Sequence, residues 1–162
     1  MKEKIFQRQM LPQKNLVLVL GMVIFFCVAG TVQAAQQPQP PPRFQEVEGS
    51  GGSIVRDNNT GLEWQRCPHG QSWTGASCSG TTWTGNWQDA TRVTASAGFR
   101  LPTIDEMRTL APYDQGVFPG SGWFWSSSPV GKYDARVLSF DSGRSDILGK
   151  LGNYRARLVR GG

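Results

Sequence analysis

Two of the three cysteines and the single histidine are the side chains best suited to covalent or metal chemistry. Cys67 and Cys78 lie 11 positions apart, with His69 between them. A zinc site needs about four ligands, which this trio does not supply. A Cys–His nucleophile needs a free thiolate, which an oxidising compartment removes. Because the chain begins with a segment typical of an export signal, we predict a Cys67–Cys78 disulfide, and we predict neither a metal site nor a cofactor.

The carboxylates and serines do not indicate catalysis. Glycoside hydrolysis needs two carboxyl groups at a defined separation, and the spacing of the acidic residues brings no pair to it. Asp105 and Glu106 are better explained as the first turn of a helix. The serines at 126–128 have no histidine partner in any local pattern. We therefore predict that the protein is not an enzyme.

Basic side chains gather near the C-terminus and suggest a site for an acidic ligand. Residues 132–162 hold seven arginines and lysines against three aspartates, a local net charge of +4. An arginine fork donates two parallel hydrogen bonds to sulfate or carboxylate. Solvated strands also carry charges without any ligand, so this alternative stays open for each residue. The candidate ligand-binding cations are Arg144 at a hairpin tip, Lys150 near a turn, Lys132 and Arg136.

The six tryptophans divide between loops and predicted regular elements. Trp73 and Trp83 fall in polar, glycine-containing loops, where an indole could stack on a sugar ring. The other four are expected in the core: Trp64, Trp87, Trp123 and Trp125.

The N-terminal 34 residues have the layout of a secretory signal peptide. Four basic residues precede an apolar run over 16–32, and Val32-Gln33-Ala34 fits a cleavage site. An uncleaved anchor is the alternative, since the run approaches the roughly 20 residues that span a bilayer. We expect the protein to be exported, to the periplasm, the outer surface or the medium, and to meet a membrane only through this segment.

The composition after residue 34 indicates a spacer and one folded domain. Residues 35–42 are rich in proline and glutamine and predict an extended spacer, and 43–162 form the folded domain. Without residues 1–34 the chain has 13 basic and 11 acidic side chains, a net charge of only +2. This weak field gives no reason to expect nucleic-acid binding. The 20 glycines and low charge favour a turn-rich fold rather than long helices.

Sequence periodicity predicts an α+β domain. Strands are expected at 43–47, at 53–56 and from Leu62, followed by a helix of about three turns that begins after Asn86 and ends before Gly98. A second, short helix begins at Thr103, which forms a capping box with Glu106, and ends before Pro112. Its apolar positions 104, 107, 110 and 111 are expected on the buried side. Strands at 123–129, 134–140 and 154–159 then form an antiparallel meander with a turn at 141–144.

One arginine precedes the second helix in an apolar setting. Arg100 lies between Phe99 and Leu101, and we expect it to be buried and paired with a carboxylate or with carbonyl groups. We also expect Pro102, Thr103, Glu106 and Arg160 to support the fold rather than to contact a ligand.

Six segments, in order, resemble the C-terminal domain of the Legionella collagen-like adhesin, a bacterial family. They are 57–65 (DNNTGLEWQ), 87–90 (WQDA), 99–106 (FRLPTIDE), 118–119 (FP), 123–128 (WFWSSS) and 157–162 (RLVRGG), and the resemblance covers about 44–162. The Arg-Leu-Pro-Thr step at 100–103 is also similar to the formylglycine-generating and sulfatase-modifying family. That family has its catalytic cysteines in its C-terminal part, where this chain has none after Cys78.

The resemblance implies a fold, an assembly and a ligand class. The fold would be C-type-lectin-like, with two short helices packed on antiparallel sheet and the termini close together. The adhesin domain is a trimer that binds sulfated glycosaminoglycans, which implies a homotrimer and an acidic polysaccharide ligand here. This chain has no collagen-like repeat, and its Pro/Gln spacer is the only stalk.

These observations favour an exported, non-catalytic, adhesin-like binding module for acidic glycans or another polyanionic surface ligand. The alternative is a structural or assembly domain of the cell envelope that binds an envelope or host surface protein.

Overall fold

The computed structural model describes residues 41–93 and 98–161. The predicted signal peptide, residues 1–34, and most of the predicted spacer lie outside the described residues. Neither helix among the described residues has the length and hydrophobicity of a membrane-spanning segment.

Short strands dominate the domain, and two helices interrupt them. In chain order the elements are β1 (Phe44–Glu46), β2 (Ile54–Asp57), β3 (Glu63–Gln65), β4 (Ser72–Trp73), β5 (Cys78–Ser79), β6 (Thr84–Gly85), α1 (Trp87–Arg92), α2 (Ile104–Thr109), β7 (Trp123–Val130), β8 (Asp134–Ser139), β9 (Ser145–Gly149), β10 (Tyr154–Arg155) and β11 (Val159–Arg160).

The strands form two main sheets and a small hairpin. The first sheet is antiparallel, in the order β1-β2-β3-β11, so the first and last strands of the domain belong to the same sheet. The second sheet has the order β6-β10-β7-β8-β9, and β4 pairs with β5. The architecture is therefore mostly antiparallel sheet with two short helices.

Alternation along β8 accounts for the second sheet. Ala135, Val137 and Ser139 are buried, as the alternation predicts; on the other face Arg136 is half-buried, but Leu138 is buried as well. β8 pairs with β7 on one side and with β9 on the other, from Leu138 opposite Ser145 to Asp134 opposite Gly149. The predicted hairpin at 141–144 is confirmed.

The C-terminal segment differs from the predicted meander. Instead of one strand over 154–159, it forms β10, which lies parallel to β7, and β11, which joins β3 in the first sheet. Between them Ala156 and Leu158 are buried and accept backbone hydrogen bonds from His69 and Gln65. Along the stretch between the two sheets, the backbone amides of His69 and Gln65 supply the hydrogen-bond donors that its carbonyls need. The period-two pattern within the segment does not predict these distant partners.

Both helices begin where the sequence predicts. The Asn86 side chain accepts a hydrogen bond from the Asp89 amide, and the Thr103–Glu106 capping box is present. α1 is shorter than the predicted three turns, because Val93 is already extended after Arg92; residues 94–97 are outside the described residues. α2 ends at Thr109 with Leu110 buried, whereas Ala111, expected on the buried side, is exposed.

Two apolar clusters make up the core. The first joins Trp64 of β3 to Phe124 and Leu138 of the second sheet and to Met107 of α2, and the second contains Trp125, Val137 and Leu158 with Ala90 of α1. Phe124 and Trp125, which are consecutive in β7, thus belong to different clusters, because side chains alternate between the two faces of a strand. Trp64 and Trp125 are completely buried, and Trp87 and Trp123 pack partly buried against the second cluster.

Candidate functional site

The predicted disulfide is confirmed and holds a small hairpin against the domain. Cys67 and Cys78 are bonded, with 5.6 Å between their Cα atoms. Cys78 lies in β5 directly opposite Trp73 of β4. Each strand has two residues, and a hairpin of this size is barely stable alone. The disulfide therefore ties the strand partner of Trp73 to the buried Cys67.

Trp73 is fixed by a buried arginine. The Arg66 guanidinium lies 4.5 Å from the centre of the indole. Arg66 also donates to the carbonyl of Gly52 at 2.6 Å and to the Glu46 carboxylate at 2.7 Å. Gly52 has φ +78°, and a Cβ there would come within 3.0 Å of the indole Nε1 of Trp73. Arginine, glycine and hairpin together give Trp73 a defined position.

A cleft of about 480 Å³ opens beside this tryptophan. Its walls come from the β1–β2 loop and β2, from the end of β3 and Cys67, from Gln71 and β4, and from Phe99 and Arg160. The lining residues are Ser50, Ser53, Ile54, Gln65, Cys67, Gln71, Ser72, Trp73, Phe99 and Arg160. The cleft therefore combines aromatic rings with neutral hydroxyl and amide groups.

The one cation that lines the cleft is held by other groups. Arg160 binds Glu63 with its Nε and a terminal nitrogen, each 2.7 Å from the carboxylate, and its guanidinium lies 4.8 Å from the centre of the Phe99 ring. Arg160 is thus held by contacts within the domain. Its charge is balanced, so the cleft has no strong preference for an anion.

Several polar groups of the cleft keep hydrogen-bonding capacity for a ligand. The Ser50 and Ser53 hydroxyls donate to the carbonyls of Val47 and Ser50, which leaves their oxygens as acceptors. Within the described residues, the side-chain amide of Gln65 and the hydroxyl of Ser72 have no protein partner. Donors and acceptors are therefore both available along one wall.

The predicted cations form a row along the β8–β9 hairpin. Lys132 lies in the turn before β8, Arg136 is opposite Ile147, and Arg144 precedes β9. Lys132 and Arg144 are exposed, and Arg136 is half-buried. No carboxylate among the described residues forms an ion pair with any of the three. We call Lys132, Arg136 and Arg144 the cation row.

Lys150 differs from the expectation that it is an exposed ligand donor. It is half-buried, and its ammonium donates to the carbonyls of Gly131 at 3.0 Å and Lys132 at 3.1 Å. The ammonium also lies 4.6 Å from the centre of the Trp87 ring. Lys150 therefore links its own turn to the turn at 131–132 through hydrogen bonds, and to α1 through Trp87.

The strong basic segment expected over 132–162 is wrong as a surface feature. Arg157 is completely buried between Phe118, Phe124 and Phe140 and donates to the carbonyls of Gln65, Arg66 and Pro119. Burial lowers the pKa of Arg157 to about 9, which leaves the guanidinium charged at pH 7. With Arg157 buried and Arg160 paired, residues 132–150 hold four cations against three aspartates, a net charge of +1, and Arg155 in β10 adds one half-buried cation.

Arg100 is paired as expected but is not buried. Its guanidinium donates two hydrogen bonds to Glu106, at 2.6 and 2.9 Å, and its side chain is 45% exposed. The hydrogen bond from Arg100 is the main reason that the pKa of Glu106 is lowered, and the same contact raises the pKa of Arg100. Since Glu106 also closes the α2 capping box, and Pro102 is buried, this group is structural.

Trp83 is not an open stacking surface. It is half-buried, packs against the second apolar cluster and meets His69 edge to face at 6.1 Å. Burial lowers the pKa of His69, so the imidazole is neutral at pH 7. Of the two loop tryptophans, Trp73 therefore lines the cleft and Trp83 belongs to the packing.

No group of three or more His, Cys, Asp or Glu side chains converges as a metal site in residues 41–93 and 98–161. The cleft itself is a feature that the sequence did not predict. It joins residues around positions 50, 65, 72, 99 and 160, and their spacing gives no local signal.

Comparison with sequence profiles of protein families identifies a match. The profile of the Lcl C-terminal domain matches residues 53–160, two thirds of the chain and nearly all of its described part. No curated protein matches the sequence.

Proposed function

The chain belongs to the Lcl C-terminal domain family, and from this premise we propose that it is an exported, non-catalytic, adhesin-like binding domain for extended acidic glycans. The resemblance to the collagen-like adhesin implies this ligand class. The signal-like leader and the disulfide support export, because disulfides persist in oxidising compartments.

One observation carries the proposal. Six arginines of the domain are each ion-paired with a carboxylate: Arg43, Arg56, Arg66, Arg100, Arg108 and Arg160. The cation row has no such partner among the residues that the structure describes; Arg92 of α1 and Arg155 of β10 also have none, but they lie apart from the β8–β9 hairpin. Unpaired guanidinium forks on a surface hairpin are available to bind sulfate or carboxylate groups.

The spacing of the row favours a polymer over a small anion. Arg144 lies three residues from the position opposite Arg136, and Lys132 lies four residues before Arg136. At about 3.3 Å per strand residue, Arg136 and Arg144 are about 10 Å apart along the hairpin, and an offset of three positions places their side chains on opposite faces of it. A single sulfate cannot bridge this separation, whereas a chain with repeated acidic groups can pass around the hairpin from one cation to the next.

The small net charge predicts weak binding by one domain. A homotrimer, as the resemblance implies, would present three rows and raise the effective affinity by multivalency. The C-type-lectin-like fold belongs to the same proposal. It is supported by two short helices on antiparallel sheet and by the shared sheet of the first and last strands.

A second candidate is a protein-binding domain of the cell envelope. The same hairpin and the adjacent turn expose three large apolar side chains: Tyr133 at 71%, Ile147 at 45% and Leu151 at 92%. Exposed apolar groups of this kind favour contact with another protein. Such contact depends little on salt, which separates it from polyanion binding.

The test is retention of the purified protein on immobilised heparin across a salt gradient. The Arg136→Ala/Arg144→Ala variant removes two charges from the row, and Arg56→Ala/Arg92→Ala removes two exposed charges elsewhere. We expect the row variant to elute at clearly lower salt than the wild type, with the control variant close to the wild type. Flow-through of the wild-type protein at low salt, or equal shifts in both variants, would overturn the proposal.

A further inference from the structure

We propose that the cleft beside Trp73 is a second binding site, which takes an uncharged pyranose ring of a glycan. This site goes beyond the proposed function, because it lies on the first sheet and the disulfide hairpin and uses no member of the cation row. The proposal stands on the cleft's lining, its balanced charge and the fixed position of its tryptophan.

The lining indicates the chemical class of the ligand. A pyranose presents apolar C–H groups on one face and hydroxyls around its edge, and it therefore needs an aromatic surface next to neutral donors and acceptors. Trp73 supplies the ring, and Gln65 and Ser72 supply an amide and a hydroxyl with no other partner in the described part of the chain. A volume of about 480 Å³ lies within the range of small-ligand sites.

Charge argues against an ionic ligand. No aspartate or glutamate lines the cleft, and Arg160 is held by Glu63. An anion would have to compete with Glu63 for this guanidinium, and a cation would find no carboxylate. A neutral ligand loses little solvation on entry, since its hydroxyls exchange water for Gln65, Ser72 and the serine oxygens.

The site is already organised before a ligand binds. Arg66 covers one face of the Trp73 ring at 4.5 Å, and the Cys67–Cys78 disulfide holds the strand opposite Trp73. Stacking on a fixed ring costs less conformational entropy than stacking on a mobile one. Because Trp73 lines the cleft, its indole is the contact that we assign to a sugar face.

The experiment is calorimetric titration of the purified protein with three neutral trisaccharides: cellotriose, maltotriose and N-acetylated chitotriose. We expect at least one to bind, with an affinity that does not change between low and high salt. Trp73→Ala and Gln65→Ala should each weaken that binding by about ten-fold, a typical effect of losing an aromatic or hydrogen-bond contact. Trp73→Phe, which keeps a ring, should retain part of it.

Controls separate this proposal from the acidic-glycan function. The Arg136→Ala/Arg144→Ala variant should bind the trisaccharide like the wild type, and Gln65→Ala should keep the wild-type retention on heparin. Urea denaturation of each variant identifies any that fails to fold. If Trp73→Ala does not fold, Gln65→Ala still tests the site, because the Gln65 side-chain amide has no protein partner among the described residues. Absence of binding by all three trisaccharides, or unchanged binding in Gln65→Ala and Trp73→Ala, would overturn the proposal.

Discussion

Removing the disulfide tests the physical account of the cleft. In the Cys67→Ala/Cys78→Ala variant, the unfolded chain gains the freedom that the cross-link removed. The bridged residues are 11 apart, and for a loop of this length the chain-entropy relation gives about 3 kcal/mol. We therefore expect the free energy of unfolding to fall by about 3 kcal/mol.

Urea denaturation measures this loss. For a domain of this size we expect a lower urea midpoint, by about 1–3 M, with little change in the slope. A thermal midpoint lower by about 10 °C would agree with the same free energy. Wild-type protein under reducing conditions should reproduce both shifts, which controls for the loss of the sulfur atoms themselves.

The hairpin should respond more strongly than the rest of the domain. Without the disulfide, β4 and β5 keep their short pairing and the Thr74–Ser77 contacts. We expect the Trp73 indole resonance to broaden or shift in NMR spectra. The Trp125 indole, which donates to the Gly85 carbonyl in the core, is the internal control and should not move.

Two results would refute this reasoning. A loss below about 1 kcal/mol would mean that the disulfide constrains the unfolded chain much less than the relation requires. An unchanged Trp73 resonance in a destabilised variant would mean that Arg66 and Gly52 alone hold the indole.

Buried and paired charges give three further predictions. Arg157→Met should lower the free energy of unfolding by about 2–4 kcal/mol, because the buried Arg66 carbonyl and the partly buried carbonyls of Gln65 and Pro119 lose their donor, and a loss below about 1 kcal/mol in urea denaturation would contradict this. The lowered pKa of Glu106 means that its carboxylate stabilises the fold above the ordinary value of 4.5 and that this contribution is lost as the pH falls through the lower folded pKa. The stability difference between wild type and Glu106→Gln should therefore shrink below pH 4.5, and a constant difference down to about pH 3 would argue against the Arg100 contact. Lys150→Met should destabilise the domain by about 1 kcal/mol, since two carbonyls lose a donor, whereas Lys132→Met should leave stability unchanged and reduce heparin retention; the reverse pattern would contradict the assigned roles.

Local sequence signals predicted the structure correctly where the interacting residues are close along the chain. The capping box joins residues three apart, the β8–β9 hairpin closes through a short turn, and the disulfide spans 11 residues. The strand alternation of β8 also follows from its own residues. These features depend on backbone geometry and side-chain type within one segment, so the sequence alone predicts them.

Predictions about individual charges succeeded less often. Arg157 and Lys150 both belonged to the predicted basic segment, yet the first is buried and the second fastens two turns. Arg100 has its expected partner but is exposed. A charged residue on an alternating segment looks the same in sequence whether it faces solvent, a carboxylate or a ring of phenylalanines.

The family, the mixed architecture, the helix starts and the disulfide could all be inferred from the order of the residues. Which cations remain unpaired and where a cleft opens depend on the folded arrangement, because Arg160 meets Glu63 across 97 positions and Arg157 meets the Gln65 carbonyl across 92. The change of sheet between β10 and β11 brings these distant residues together. Pairing, burial and cavity shape are properties of contacts between segments, and the periodicity within one segment does not specify them.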